Sequence, residues 1–150
     1  MYFLSNQCER VGTLDPGQYG FRPQSSAVDA VEPAMARTQT AWSQGKMVGA
    51  LMTDVSAAFP SVARDCLIRS MKDLGLDDDL IQWTDSFMRD RRIIMNINGQ
   101  IGDPEKIMTG LPQGSPVSPV LFGIYISGVH GEVQCKVQGV AGISFVDDVT

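Results

Sequence analysis

Histidine is almost absent from this chain. His130 is the only one in 150 residues, which excludes a histidine-rich metal centre or a Ser-His-Asp relay built from these residues. Cysteine is scarce as well. Cys8, Cys66 and Cys135 are widely spaced with no Cys-x-x-Cys pair, so neither a disulfide framework nor a zinc site is indicated and buried or free thiols are expected. No apolar run approaches the roughly 20 residues of a membrane span, and Met1-Tyr2-Phe3-Leu4 is too short and uncharged for a signal peptide; an intracellular protein with no membrane partner is expected. Cations are in the minority, 12 Lys and Arg against 17 Asp and Glu. The net charge of −5 argues against strong nucleic-acid binding by the chain as a whole, because phosphate affinity comes mainly from clustered Lys and Arg. Repeats, low-complexity tracts and a linker that would divide the chain are also missing. Any catalysis must therefore run on carboxylates.

What is present is a globular composition, 43% hydrophobic and 19% charged, of a size that holds one ordinary domain. Residues 1–20 lack clear periodicity, and Asp15-Pro16-Gly17 is turn chemistry. After Ser25-Ser26, good helix N-caps, the spacing of Ala27, Val31, Ala34, Met35 and Ala41 predicts a helix reaching Trp42 and stopping at Gly45, with Pro33 expected to kink or break it. Residues 46–55 read as a buried strand, since Met47, Val48, Ala50, Leu51, Met52 and Val55 leave no polar face. Beyond Pro60, Leu67, Met71 and Leu74 mark an amphipathic helix ending at Gly75. Asp77, Asp78 and Asp79 then open a second helix at its positive end, with Leu80, Trp83 and Phe87 expected on one face. Alternating Ile93, Met95 and Ile97 followed by Asn98-Gly99 predict a hairpin over 92–108. Loop chemistry fills 110–116, a helix carrying Leu121, Ile124 and Gly128 on one face follows, and 137–146 reads as a strand.

That last strand delivers Asp147-Asp148, as 46–55 delivers Asp54; paired carboxylates at a strand end are costly to hold unless a cation neutralises them. The expectation is that Asp54 and Asp147 meet in a metal-dependent site. Singly each piece is weak: an Asp-Asp after a strand is commonly a turn, and 110–114 lacks the Gly-Lys-Ser/Thr of a phosphate-binding loop. Their order is more specific. Asp54-Val55-Ser56-Ala57-Ala58-Phe59, Leu111-Pro112-Gln113-Gly114-Ser115-Pro116 and Phe145-Val146-Asp147-Asp148 resemble motifs A, B and C of the reverse transcriptase palm. Gln18-Tyr19-Gly20-Phe21-Arg22-Pro23 resembles the fingers motif of non-LTR retrotransposon and group II intron enzymes, so that the resemblance covers about residues 17–150.

The resemblance implies an α+β fold, a right-hand polymerase palm with part of the fingers, an antiparallel sheet backed by helices and truncated at motif C. It divides a partial reverse transcriptase domain into a fingers fragment at 1–45 and palm at 46–150. Asp54 and Asp147 become the main ligands of two Mg²⁺ ions, with Mn²⁺ as an alternative, and Asp148 an auxiliary ligand; such ions take oxygen donors and substrate phosphates. Phe59 matches the position that blocks a ribose 2′-hydroxyl, although without the resemblance core packing beside Pro60 is the first explanation of an aromatic there. Gln113 and Gly114 match the loop beside the incoming nucleotide, where a turn before a helix would otherwise suffice. Arg22 reads as either a fingers residue or a surface arginine, and Arg89, Arg91 and Arg92 as phosphate contacts or a solvated helix end. The implied function is RNA-directed DNA polymerisation in an intact parent that binds an RNA template, a DNA primer and a deoxynucleoside triphosphate. The return strand after motif C, the later palm and the thumb are expected to be missing, so the isolated chain is expected to be inactive. A non-catalytic retroelement remnant or interaction protein, and a group II intron maturase-like fragment, are the alternatives.

Overall fold

In the computed structural model, which describes residues 12, 15–20, 22, 24–136, 140–145 and 148–149 (backbone alone at 128–135, 148 and 149), four helices and six short strands follow one another. In chain order they are α1 (Ala27–Ser43), α2 (Arg64–Asp73), α3 (Asp78–Met88), β1 (Arg92–Ile93), β2 (Asn96–Ile97), β3 (Gln100–Ile101), β4 (Glu105–Lys106), α4 (Ser118–Lys136), β5 (Ser144–Phe145) and β6 (Asp148–Val149). The α+β class expected from the sequence is met. The strands form three separate two-stranded antiparallel ladders among the described residues, and the core is made by helices.

Helix α1 begins with a capping box: the Ser26 amide donates to Asp29 Oδ2 at 2.7 Å and the Asp29 amide to Ser26 Oγ at 3.4 Å. The expected break at Pro33 does not occur. Proline removes one amide donor, but that is a single bond in a helix of 17 residues whose start is reciprocally capped and whose last carbonyls accept from Gln44, Gly45 and Lys46. Only Ala30 is buried on α1, while Val28, Val31, Met35 and Trp42 are exposed. Its apolar spacing specifies the helix without specifying a neighbour to cover it.

The core sits where α2 packs between α4 and α3. Leu67 and Met71, four residues apart, are fully buried on α2, each contributing about 1.5–3 kcal/mol relative to an exposed side chain. On α4 the described residues Val120, Leu121, Phe122, Ile124 and Ile126 are all buried, so its first two turns are buried around the circumference. On α3 the buried set is Ile81, Thr84 and Met88. This corrects the expected Leu80, Trp83 and Phe87 face: Leu80 and Phe87 are only half-buried, and Trp83 is exposed and stacks on Phe87 at 5.2 Å. The two faces lie one residue, about 100°, apart on the helix, and packing against α2 selected the one whose side chains are smaller.

The hairpin over 92–108 is present, with Ile93 opposite Glu105 in one ladder and Ile97 opposite Gln100 in the other. Asn98 and Gly99 both take positive φ, 53° and 84°, the mirror-image turn whose twist matches paired strands. Its apolar residues Ile94, Met95, Ile97 and Ile101 are exposed.

The expected buried strand at 46–55 is corrected. Residues 46–54 are exposed, Val55 is half-buried, and only Thr53 makes a single-residue bridge. An apolar run encodes an affinity for burial, but a strand also needs a neighbouring backbone along its length, and the described residues offer none there. Near the other end β5 pairs with β6, Phe145 opposite Asp148 and Ser144 opposite Val149. The return strand expected to be missing thus has its first two residues in place. Of the strand expected over 137–146, residues 137–139 and 146 lie outside the described residues, 140–143 carry no regular structure, and helix α4 runs on to Lys136. No described helix is long and apolar enough to cross a membrane.

Candidate active site

Two junctions join the motifs that the sequence singles out. The first links motif A to motif B. After Asp54 the chain turns through Ala57, which takes a left-handed φ of 52° that is uncommon for a residue with a side chain. The turn is closed by the Ser61 amide on the Ala57 carbonyl at 2.9 Å, and it buries Ala58 and Val62. The backbone beyond it is then held by the incoming loop: the Leu111 amide donates to the Phe59 carbonyl at 2.7 Å and the Gly110 amide to the Val62 carbonyl at 2.8 Å. Gly110 has φ +88°, and a Cβ there would lie 2.8 Å from Pro60 Cα, so the approach is backbone on backbone.

The loop that follows is a tight turn. The Ser115 amide donates to the Pro112 carbonyl at 3.3 Å, and Gly114 takes the positive φ of 87° that the third turn position requires. Ser118, fully buried at the start of α4, donates its hydroxyl to the same Pro112 carbonyl at 2.7 Å. Ser115 Oγ accepts from the Val117 amide at 3.4 Å. Both serines therefore tie the loop to the helix. Gln113 and Gly114 are left exposed at the corner of the turn. Phe59 is half-buried, its ring 5.3 Å from that of buried Phe122 on α4 and tilted by 32°, so the two aromatics fix one another. Phe59 thus packs on the core, as one of its two readings expects, and keeps an accessible part.

The second junction links the fingers motif to motif C. Gln18 bridges Ser144 in parallel, the Tyr19 amide donates to the Ser144 carbonyl at 2.9 Å, and the Ser144 amide donates to the Gly17 carbonyl at 2.8 Å. Gln18 and Ser144 are both buried, and Gln18 Oε1 accepts from the Gly20 amide at 2.8 Å. Arg22 is half-buried, while Phe21 and Pro23 lie outside the described residues.

The carboxylates stand as follows. Asp54 is exposed, one residue after the Thr53 bridge. Asp148 begins β6, opposite Phe145, and Asp147 lies outside the described residues. Among the described residues no three His, Cys, Asp or Glu side chains converge on a metal position. The donor chemistry nevertheless suits a hard divalent cation, since the three candidates offer oxygen only and Asp54 reaches solvent.

The arginine cluster is divided by the fold. Arg89 pairs with Asp85 one turn back on α3, and Arg64 of α2 pairs with the same carboxylate. Burial pushes the Asp85 carboxyl up, but the hydrogen bond and charge of Arg64, with Arg89, outweigh it and hold it below the usual range. Arg91 is engaged with backbone carbonyls, and Arg92 is exposed on β1. A cleft of about 910 Å³ between α2 and α3, lined by Arg64, Arg69, Lys72, Asp78, Asp85 and Arg89, contains none of the motif residues.

The sequence profile described as "Reverse transcriptase (RNA-dependent DNA polymerase)" matches residues 3–150. The chain belongs to the reverse transcriptase family. Over 114 residues this reverse transcriptase chain is 26% identical to "Retrovirus-related Pol polyprotein from type-1 retrotransposable element R2" of Popillia japonica, covering 71% of the chain and 19% of that protein. It is 28% identical over 124 residues to "RNA-directed DNA polymerase from mobile element jockey" of Drosophila funebris, covering 83% and 13%. It is 28% identical over 112 residues to "Probable RNA-directed DNA polymerase from transposon BS" of Drosophila melanogaster, covering 75% and 12%. The chain thus spans less than a fifth of the length of these curated relatives. The resemblance to reverse transcriptases is met by the family profile, and its non-LTR retrotransposon type by the names of the relatives. Arg91, read from the sequence as a phosphate contact or a solvated helix end, holds the Thr109 and Gly110 carbonyls, and Phe122, which the sequence left unassigned, packs on Phe59; no local pattern distinguishes either from an ordinary surface or core residue.

Proposed function

We propose that this chain is the part of an RNA-directed DNA polymerase that carries the carboxylates and the nucleotide-facing loop, with a fingers fragment at 1–45 and palm at 46–150. The whole protein would copy an RNA template by adding deoxynucleotides to the 3′-hydroxyl of a DNA primer. The observation that carries this reading is the junction of motifs A and B, in which Phe59 and Leu111 share a backbone hydrogen bond and Phe59 stacks on the helix behind the loop. A family match alone places motifs in order; the junction puts the Phe59 ring and the Pro112-Gln113-Gly114 turn on opposite ends of one short tether.

In this reading Asp54 and Asp147 hold two divalent ions, Mg²⁺ or Mn²⁺, with Asp148 assisting. When bound, such ions neutralise the charge on the attacking hydroxyl and the departing pyrophosphate. Phe59, fixed by Phe122, excludes a ribose 2′-hydroxyl by sterics. Gly114 lets the backbone approach the nucleotide closely, and Gln113 beside it supplies an amide for hydrogen bonding. The isolated chain does not turn over, because the 46–54 segment is exposed and paired at only one residue among those described, and a catalytic carboxylate needs a rigid support. A remnant without chemistry and an intron maturase are not favoured by the names of the relatives.

The test is primer extension on an RNA template by the full-length gene product with Mg²⁺ titrated. Asp54→Asn is expected to reduce extension at least about a hundredfold, since a metal ion's charge stabilisation is worth several kcal/mol. Unchanged extension in Asp54→Asn would overturn the assignment.

A further inference from the structure

Arg91 sits in the short connection between α3 and β1, beside two other arginines, and its sequence context reads as a phosphate contact or a solvated helix end. The fold uses it differently. Its Nη2 donates to the Gly110 carbonyl and, at 3.3 Å, to the Thr109 carbonyl, and its Nε donates to the Met88 carbonyl at 3.4 Å. Its own carbonyl accepts from the Ile107 amide at 2.9 Å. One half-buried residue therefore gathers the last residue of α3, the outgoing arm of the hairpin and the peptide that leads into motif B.

The same peptide is gripped from the opposite side. The Gly110 and Leu111 amides point to the carbonyls of Val62 and Phe59, while the Gly110 and Thr109 carbonyls point to Arg91. With donors on one flank and acceptors on the other, the strand direction at 109–111 is determined immediately before the Pro112–Ser115 turn begins. Pro112 then restricts rotation further, so little freedom remains between the clamp and the corner. A guanidinium suits this task because its planar fork presents several donors in a fixed arrangement and stays charged at any working pH.

We propose that Arg91 is a positioning residue for the nucleotide-facing turn: by clamping the carbonyls of Thr109 and Gly110 it sets where Gln113 and Gly114 stand relative to the incoming nucleotide. The inference rests on the reading of Gln113 and Gly114 given above. It makes Arg91 act through the loop and gives it no contact with nucleic acid. Its loss raises the KM for the deoxynucleotide, because a displaced loop loses contacts made to the nucleotide in the ground state and the transition state alike. It leaves the salt dependence of template affinity unaltered.

The experiment is steady-state primer extension by the full-length gene product with template–primer saturating, deoxynucleotide titrated, and template affinity measured against salt. Arg91→Met is expected to raise the nucleotide KM about tenfold or more with kcat changed less, and Arg91→Lys, which keeps the charge but not the fork, to fall between. A salt slope reduced by about one phosphate's worth would make Arg91 a backbone contact and overturn the proposal. So would an unchanged KM with activity falling only as the folded fraction falls. Gln113→Ala separates the two levels. If it leaves the nucleotide KM unchanged, the reading of the loop fails; if it raises KM while neither Arg91 variant does, the clamp alone fails. Should Arg91→Met not fold, Arg91→Lys is compared by amide hydrogen exchange, where faster exchange at Gly110 and Leu111 supports the clamp and unchanged exchange refutes it.

Discussion

Gly110→Ala would test the contact on which the candidate site depends. The backbone at this position has φ +88°, and an ideal Cβ would lie 2.8 Å from both Pro60 Cα and the Pro60 carbonyl oxygen and 3.1 Å from its carbonyl carbon. These are backbone atoms of a residue whose own φ is locked by its ring, so no side chain can swing aside to relieve the clash. Forcing a left-handed conformation on alanine costs about 1–2 kcal/mol. The overlap with Pro60 adds the roughly 1–3 kcal/mol typical of an overpacked site. The sum is about 2–5 kcal/mol, a large share of a stability that for a domain is typically about 5–15 kcal/mol. Gly114→Ala is the control, because Gly114 has nearly the same φ of +87° but nothing within 4 Å of its Cβ position. It should lose only the conformational part, about 1–2 kcal/mol. Urea denaturation followed by tryptophan fluorescence gives both values from the midpoints, provided the slope is unchanged. The difference between the two variants measures the approach of the motif B loop to Pro60. If Gly110→Ala were no more costly than Gly114→Ala, the two segments would not be in contact and the junction of motifs A and B would be wrong.

Phe122→Ala removes a fully buried ring that backs Phe59. It should cost about 3–5 kcal/mol in the same denaturation assay. In primer extension it should weaken discrimination against ribonucleotides, measured as the ratio of kcat/KM for deoxy- and ribonucleoside triphosphates; an unchanged ratio would dissociate Phe59 from sugar selection. Acid should destabilise the protein through two carboxylates. Asp29 is held below its usual value by the Ser26 hydroxyl and backbone amide, and Asp85 by Arg64 and Arg89 against the opposing effect of burial. Because the folded values lie below the unfolded ones, this stability is fully present above about pH 4 and is lost as the pH falls through the folded values. Urea midpoints between pH 2 and 6 should therefore decline on the acid side, and Asp85→Asn should flatten that decline; an identical acid limb in the variant would show that its ion pairs carry no such linkage.

How much was legible in the residues depends on the range of the interaction concerned. The helix start at Ser26, the α2 pair Leu67 and Met71, and the Asn98-Gly99 turn are decided within four residues, and each forms where the pattern places it. The misreadings have a longer reach. Whether α3 buries Trp83 or Thr84 is decided by α2, and whether 46–55 is a buried strand is decided by a neighbouring backbone that no periodicity reports. At Pro33 the helix continues without a break, since the remaining hydrogen bonds and both ends hold it.

By itself the order of Asp54, Phe59, Gln113-Gly114 and Asp147-Asp148 determined the family, because a set of motifs is a one-dimensional property that survives without coordinates. Tertiary structure alone decided that Phe59 and Leu111 meet, that Phe122 backs the aromatic, and that an arginine beside two others holds backbone carbonyls. The physical reason is that a backbone hydrogen bond and a guanidinium's donors are nearly indifferent to residue type. Any peptide can supply those carbonyls, so only the path of the folded chain selects which ones do.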